Sequence, residues 1–173
     1  MTPRIVLLGP MGIGKTTAIR SLCGDALTDC EVPNLGVPMH GKETTTVGAE
    51  FGIVRLPSSD GELHVYGSPG QDRFGFLRRW LLSFAVGALV LVDIRQPDAM
   101  AYAAGIITHA RESHPSTVLV VLSARPASHD VLEHFSRELA GQVGMAVPVL
   151  AVDVREKTQM LDALELLTAV LST

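Results

Sequence analysis

Eight residues near the beginning of the chain, Gly9-Pro10-Met11-Gly12-Ile13-Gly14-Lys15-Thr16, fit the spacing G-x-x-x-x-G-K-[ST]. Few stretches this short constrain a fold so tightly. The glycines let successive backbone N–H groups turn inward around an anion. A helix beginning at the lysine adds its positive N-terminal end. The lysine reaches the β- and γ-phosphates of a nucleotide, and the hydroxyl after it holds Mg²⁺. This chemistry needs a strand just before the loop and a helix just after it. Arg4–Leu8 supplies a short apolar run, and Thr16–Leu22 continues as a helix. The expected phosphate-binding set is Gly9, Met11, Gly12, Ile13, Gly14, Lys15, Thr16 and Thr17, with Thr16 also on the metal.

The rest of the chain alternates strand and helix. Gly24–Lys42 is polar and broken by Pro33, Gly36, Pro38 and Gly41, and is read as a long irregular loop of functional kind. Val47–Leu56 and Leu63–Tyr66, separated by the turn Pro57-Ser58-Ser59-Asp60-Gly61, form a hairpin. Phe74–Phe84 reads as a helix, Ala88–Val92 as a buried strand ending at Asp93, and Ala99–Glu112 as a helix. Val118–Leu122 is a second buried strand, Asp130–Leu139 a helix and Val147–Val152 the last strand. Met160–Leu171 is an amphipathic closing helix. The pattern predicts one α/β domain over residues 1–173, a three-layer sandwich. Its sheet has six mostly parallel strands with one antiparallel edge strand.

Composition narrows the function. Hydrophobic residues are 47% of the chain and charged ones 18%, so a sizeable core is available. A net charge of −4 lacks the basic surface that non-specific nucleic-acid binding needs, so no nucleic-acid partner is expected. Cys23 and Cys30 fit no zinc spacing and are read as reduced thiols. The longest apolar stretch, Trp80–Val92, is too short to cross a bilayer, and neither end carries a lipidation signal. A cytoplasmic protein without direct membrane insertion is expected.

Two further segments matter in combination with the phosphate loop. Thr44-Thr45-Thr46-Val47-Gly48-Ala49-Glu50-Phe51 opens the first hairpin strand, and Tyr66-Gly67-Ser68-Pro69-Gly70-Gln71-Asp72-Arg73-Phe74 follows the second. Alone, each has an ordinary reading as strand start and turn. Together, Thr46–Phe51 resembles the T-x-G-x-[DE]-F of a Rab-type first switch, and Pro69–Phe74 resembles the A-G-Q-E-R-F of a Ras-type second switch. The chain therefore resembles the Ras-like small GTPases, most closely the bacterial branch of MglA-type proteins and related ATP/GTP-binding proteins. The resemblance runs from Arg4 to about Val170 and is strongest before Asp93.

That resemblance implies GTP and GDP as ligands with Mg²⁺, and a nucleotide-dependent switch that hydrolyses GTP. Thr46 would join Thr16 on the metal, the Gly70 N–H would touch the γ-phosphate, and Gln71 would orient the attacking water. A regulator of the roadblock/longin type and an effector would bind the switch loops. Met11 stands where Ras has a glycine that admits an arginine finger, so hydrolysis is expected to be slow. Arg73, Arg78 and Arg79 are candidates for assistance in cis, or are simply solvated helix residues.

The sequence also departs from that pattern. The aspartate of the D-x-x-G motif is Gly67 here, which removes an anchor for Mg²⁺. Asp93 is an alternative acid for the metal, or a structural residue. The guanine-reading N-K-x-D is absent, its place taken by Ser123-Ala124-Arg125-Pro126-Ala127-Ser128. Ser123, Arg125, Asp153 and Val154 are the residues expected to face a base, with Asp153 alternatively capping the last helix. A docking module without catalysis and an ATPase or kinase using Asp93 stay open beside the GTPase reading.

Overall fold

The computed structural model describes residues 2–24, 26–33, 44–58 and 60–171. In chain order its elements are β1 (Arg4–Leu8), α1 (Lys15–Cys23), β2 (Thr28–Pro33), β3 (Thr44–Arg55) and β4 (Glu62–Gly67). A 3₁₀ turn at Asp72–Phe74 leads into α2 (Gly75–Phe84). Then come β5 (Gly87–Val92), α3 (Ala99–Ser113), β6 (Val118–Ser123), α4 (His129–Val143), β7 (Val149–Ala151) and α5 (Lys157–Leu171). The strands form one sheet in the order β2-β3-β4-β1-β5-β6-β7.

Alternation along the central strands builds the three layers. Ile5 and Leu7 of β1, with Leu89 and Leu91 of β5, pack with Ile19 of α1 and Leu164 of α5. Val6 and Leu8, with Ala88, Val90 and Val92, turn to the opposite face and meet Leu77 of α2, Ile107 of α3 and Leu139 of α4. Both faces of β1 and β5 are thus dry, which is why these strands read as continuous apolar runs. The helix ends are set locally. The Ser128 hydroxyl accepts from the Val131 amide at the start of α4, and Gly144 stops that helix at φ 71°.

The expected α/β sandwich is borne out, with one strand added. β2 lies inside the segment read as a loop and makes a seventh strand, pairing antiparallel with β3. It displaces β3 from the edge, although β3 remains the strand that runs against the others. The sequence of β2, Thr-Asp-Cys-Glu-Val-Pro, has no apolar run because an edge strand has a neighbour on one side only. Its proline closes the strand, a position where the missing N–H does least harm. The other part of the expected loop, residues 34–43, lies outside the described residues.

The chain winds outward from β1 in both directions, so the loops after β1, β4, β5, β6 and β7 converge at one end of the sheet. In open α/β sheets that crevice is where ligands bind. The phosphate-loop residues, Gly70, Gln71, Ser123, Arg125, Asp153 and Val154 lie at this end, and so does Thr46, because β3 runs antiparallel to β4 with Glu50 opposite Gly67 and its first residues extend past the end of β4.

Candidate functional site

The loop between β1 and α1 takes the shape its glycines allow. Gly12 has φ 79° and Gly14 φ 117°, both in the left-handed region where a side chain would be strained. Two cations then organise the loop carbonyls. Lys15 Nζ donates to the carbonyl oxygens of Gly9 at 2.7 Å and Pro10 at 2.8 Å. From the other side, Arg125 donates through one nitrogen to the Ile13 carbonyl at 3.0 Å and that of Ala124 at 2.7 Å. Its second nitrogen reaches the Gly12 carbonyl at 3.4 Å. Side-chain cations thus hold four of the loop's carbonyls.

The ammonium of Lys15 is partly desolvated. Burial lowers its pKa from 10.5 to about 8, and the negative charge of Glu50 works against that shift. At neutral pH the group is a cation poorly supplied with water. Arriving phosphate oxygens would restore what burial removed.

Two of the cavities beside the loop meet at Gly12, Gly14 and Thr17. One, of about 340 Å³, is lined by Met11, Lys15, Thr16, Thr17, Glu50 and the turn Gly67–Gly70. The other, of about 570 Å³, lies beyond Gly12 and Gly14 and is walled by Arg125, Ala127, Asp153, Val154, Arg155 and Gln159. Side by side they give room for a polyphosphate and for the nucleoside attached to it.

At the phosphate end the expected residues come together. The second glycine turn packs directly on the loop, so closely that a Cβ on Gly70 would collide with the Met11 amide nitrogen. Gln71 is exposed and its Nε2 points at the Met11 sulfur, 3.7 Å away. Thr16 and Thr17 are exposed toward the cavity. The Thr46 side chain lies outside the described residues; its backbone pairs with Glu31 of β2. Arg73 lies over the Phe74 ring, 4.7 Å from its centroid.

At the base end the placement is mixed. Arg125, Asp153 and Val154 line the larger cavity. Ser123 does not: it is fully buried and its hydroxyl donates to the Arg125 carbonyl at 3.0 Å, so it shapes the turn instead of facing a ligand. Asp153 is engaged by its own neighbour. One carboxylate oxygen accepts from the Arg155 N–H at 3.0 Å and from Nε at 2.9 Å, and the other accepts from the second guanidinium nitrogen at 2.6 Å. These bonds hold its pKa down to about 2. The partner sits two residues on, ahead of α5, so Asp153 caps no first-turn amide there.

Asp93 repeats the same device at the end of β5, with Arg95 bound to both carboxylate oxygens at 2.9 and 3.0 Å. It lines a third cavity, of about 270 Å³, with Gln96, Asp98, Tyr102 and the loop residues Pro10–Ile13, and it does not line the cavity that holds Thr16 and Glu50. The carboxylate found beside Thr16 is instead Glu50, to which sequence reading gave no role. Hairpin register could have found it, because β3 and β4 pair Glu50 with Gly67.

A sequence model of the Ras family matches residues 4–160. The chain belongs to the Ras family. An uncharacterized protein of Methanocaldococcus jannaschii, MJ1339, is 29% identical over 90 residues, 52% of this chain and 50% of that protein. The GTP-binding protein ypt4 of Schizosaccharomyces pombe is 24% identical over 139 residues, 80% of this chain and 57% of that protein. The chain thus spans about half the length of these relatives. Family membership makes this a small-GTPase-like nucleotide-binding domain, in keeping with the sheet order and the loop geometry.

Mg²⁺ accompanies the nucleotide in this family, and the donors here suit it. A threonine hydroxyl and a carboxylate are hard oxygen ligands, and Mg²⁺ keeps several waters and takes phosphate oxygens besides. Among the described residues there is no cluster of three or more His, Cys, Asp or Glu. The cavity accordingly suits a cation brought in with a nucleotide better than one caged by protein alone. Among the described residues no helix is long and apolar enough to cross a membrane.

Proposed function

We propose that residues 1–173 form one Ras-type domain of the bacterial branch, working in the cytoplasm as a nucleotide-dependent switch. It binds GTP and GDP with Mg²⁺ and hydrolyses GTP slowly. Its switch segments, around residues 36–51 and 67–82, bind a regulator of roadblock/longin type and an effector. The observation that carries the reading is the loop itself, where Lys15 and Arg125 take four carbonyls just ahead of a helix start. Carbonyls tied back in this way leave loop N–H groups to meet an anion, and a half-buried ammonium beside a helix start suits a phosphate chain.

Slow turnover follows from Gln71. Its amide is drawn to the Met11 thioether, a weak acceptor that nonetheless competes with a water for the same N–H. Guanine preference is weakly supported by the cavity. Guanine offers N1–H and N2–H donors, and the only carboxylate among the cavity's described lining residues is already bound to Arg155. A site that pairs those donors discriminates by about 10⁴-fold or more. Here GTP is expected to exceed ATP by no more than about tenfold, the measure of one hydrogen bond.

The test is to identify the nucleotide that co-purifies, then titrate GDP, GTP, ADP and ATP with Mg²⁺ and follow phosphate release in a single turnover. Tight GTP and GDP binding with slow release supports the switch. ATP preference favours the ATPase reading, and absence of any binding favours a docking module.

A further inference from the structure

We propose that Glu50 is the carboxylate of the divalent-cation site, reaching from β3 into the space left open by Gly67. The assignment rests on the nucleotide–Mg²⁺ reading of the cavity, and it concerns a residue to which the family pattern gives no such role.

Three observations converge on it. The first is register. Glu50 and Gly67 are directly paired across the β3–β4 ladder. Directly opposed residues project to the same face of a sheet, with their β-carbons about 5 Å apart. Here that face is the one covered by α1, since a Cβ on Gly67 would lie 2.7 Å from Ile19 Cδ1.

The second is occupancy. The Glu50 carboxylate oxygen Oε2 lies 3.2 Å from the point a Gly67 Cβ would take, and Glu50 Cβ lies 3.5 Å from it. The longer side chain on the neighbouring strand delivers its charge to the place from which a carboxylate at position 67 would start. Both could not be accommodated in this arrangement, because a side chain at 67 would press on Ile19 and on Glu50 together. Glycine at 67 and glutamate at 50 are thus two halves of one solution.

The third is company. Glu50 is half-buried and lines the same cavity as Lys15 and Thr16. The two aspartates at the ends of the sheet strands, Asp93 and Asp153, are each held by an arginine two residues on. Glu50 instead faces the ammonium and the hydroxyl that a triphosphate and its cation would use. A hard carboxylate one strand over from the phosphate loop fits a cation that retains much of its water.

The experiment measures metal demand apart from turnover. A fluorescent GDP analogue is loaded on the protein, and its dissociation rate is followed as free Mg²⁺ is varied, with a series in excess EDTA as reference. In Glu50→Gln, the Mg²⁺ concentration that half-protects the nucleotide should rise about tenfold, while dissociation in EDTA stays within about twofold of wild type. Glu50→Asp, which keeps the charge on a shorter arm, should rise about threefold, and it decides the matter if the glutamine variant does not fold. Asp93→Asn, whose carboxylate is tied to Arg95 and does not line the cavity of Thr16 and Glu50, should leave the metal demand unchanged. Mn²⁺ in place of Mg²⁺ gives a second readout: the EPR spectrum of the nucleotide complex should change in Glu50→Gln and not in Asp93→Asn. Equal Mg²⁺ demand in wild type and Glu50→Gln, with nucleotide binding intact, overturns the role of Glu50 alone. No nucleotide binding by wild type at any Mg²⁺ concentration overturns both this assignment and the switch.

Discussion

The two ends of the crevice treat their charges in opposite ways. At the phosphate end, Lys15 and Arg125 spend their donors on loop carbonyls, and Glu50 stands in the cavity beside Thr16. At the base end, the carboxylate of Asp153 is matched by its own neighbour Arg155. The first end is organised to meet a highly charged ligand. The second satisfies itself. Affinity should therefore come mainly from the phosphates and the cation, with the base adding contact area and little selectivity.

The largest effect is expected at Lys15. Replacing it with alanine removes charge-assisted hydrogen bonds worth about 1.5–3 kcal/mol each, so nucleoside triphosphate affinity should fall by at least about 100-fold. Calorimetric titration reads this directly, and unchanged affinity would detach the phosphate loop from nucleotide binding altogether. The same residue sets a pH dependence. Its pKa in the free protein is lowered to about 8, chiefly by burial. Binding needs the ammonium, so above that pH the protein must take up a proton as it binds. Affinity should be flat below pH 8 and fall by up to about tenfold per unit above it, until the higher pKa of the bound state is reached. The Lys15→Ala variant should lose that slope.

Arg125 comes next. Arg125→Ala leaves the carbonyls of Gly12 and Ile13 without their cation, and a loop free to turn them inward would oppose an anion. Triphosphate affinity should drop about tenfold, one charged hydrogen bond's worth, with GTP and ATP affected alike. A loss confined to GTP would instead make Arg125 a reader of the base and would break the contrast between the two ends.

A smaller change is expected at Met11, and in the favourable direction. Met11→Gly removes the sulfur that draws the Gln71 amide, a weak bond of roughly 0.6 kcal/mol, so single-turnover GTP hydrolysis should quicken about threefold. A slower rate would show that the thioether helps to place Gln71.

The same contrast explains how far the chain could be read in advance. The phosphate loop, β1, β5 and β6 were legible because their signals are local: glycines at fixed spacing, and apolar runs that are buried on both faces. The base end was legible only as a departure from a pattern, since nothing local shows that Asp153 would be satisfied by Arg155. β2 escaped because a polar edge strand leaves no periodicity. Glu50 escaped, and Arg125 was expected at the base but not on the loop, because these roles depend on distance in space. Arg125 meets a carbonyl 112 positions earlier in the chain, and Glu50 acts through a register that counts across a hairpin. Residues placed by contact were hidden, and residues placed by backbone pattern were visible.

The smallest effect should be at Asp153. The pair it forms with Arg155 is at the surface, with the arginine side chain 76% exposed, and such pairs add little to stability. Asp153→Asn keeps the shape and removes the charge. If the carboxylate does no more than hold Arg155, GTP and ATP affinities should both change by less than about twofold. Xanthosine triphosphate, which carries a carbonyl where guanine carries its 2-amino group, gives the sharper measurement. A carboxylate that accepts from that amino group would reject xanthine, and asparagine in its place would accept it. Equal xanthosine triphosphate binding before and after the substitution leaves the base end self-satisfied. A switch of preference toward xanthine in Asp153→Asn would mean that Arg155 gives way to the nucleotide, and that the two ends of the crevice are built alike after all.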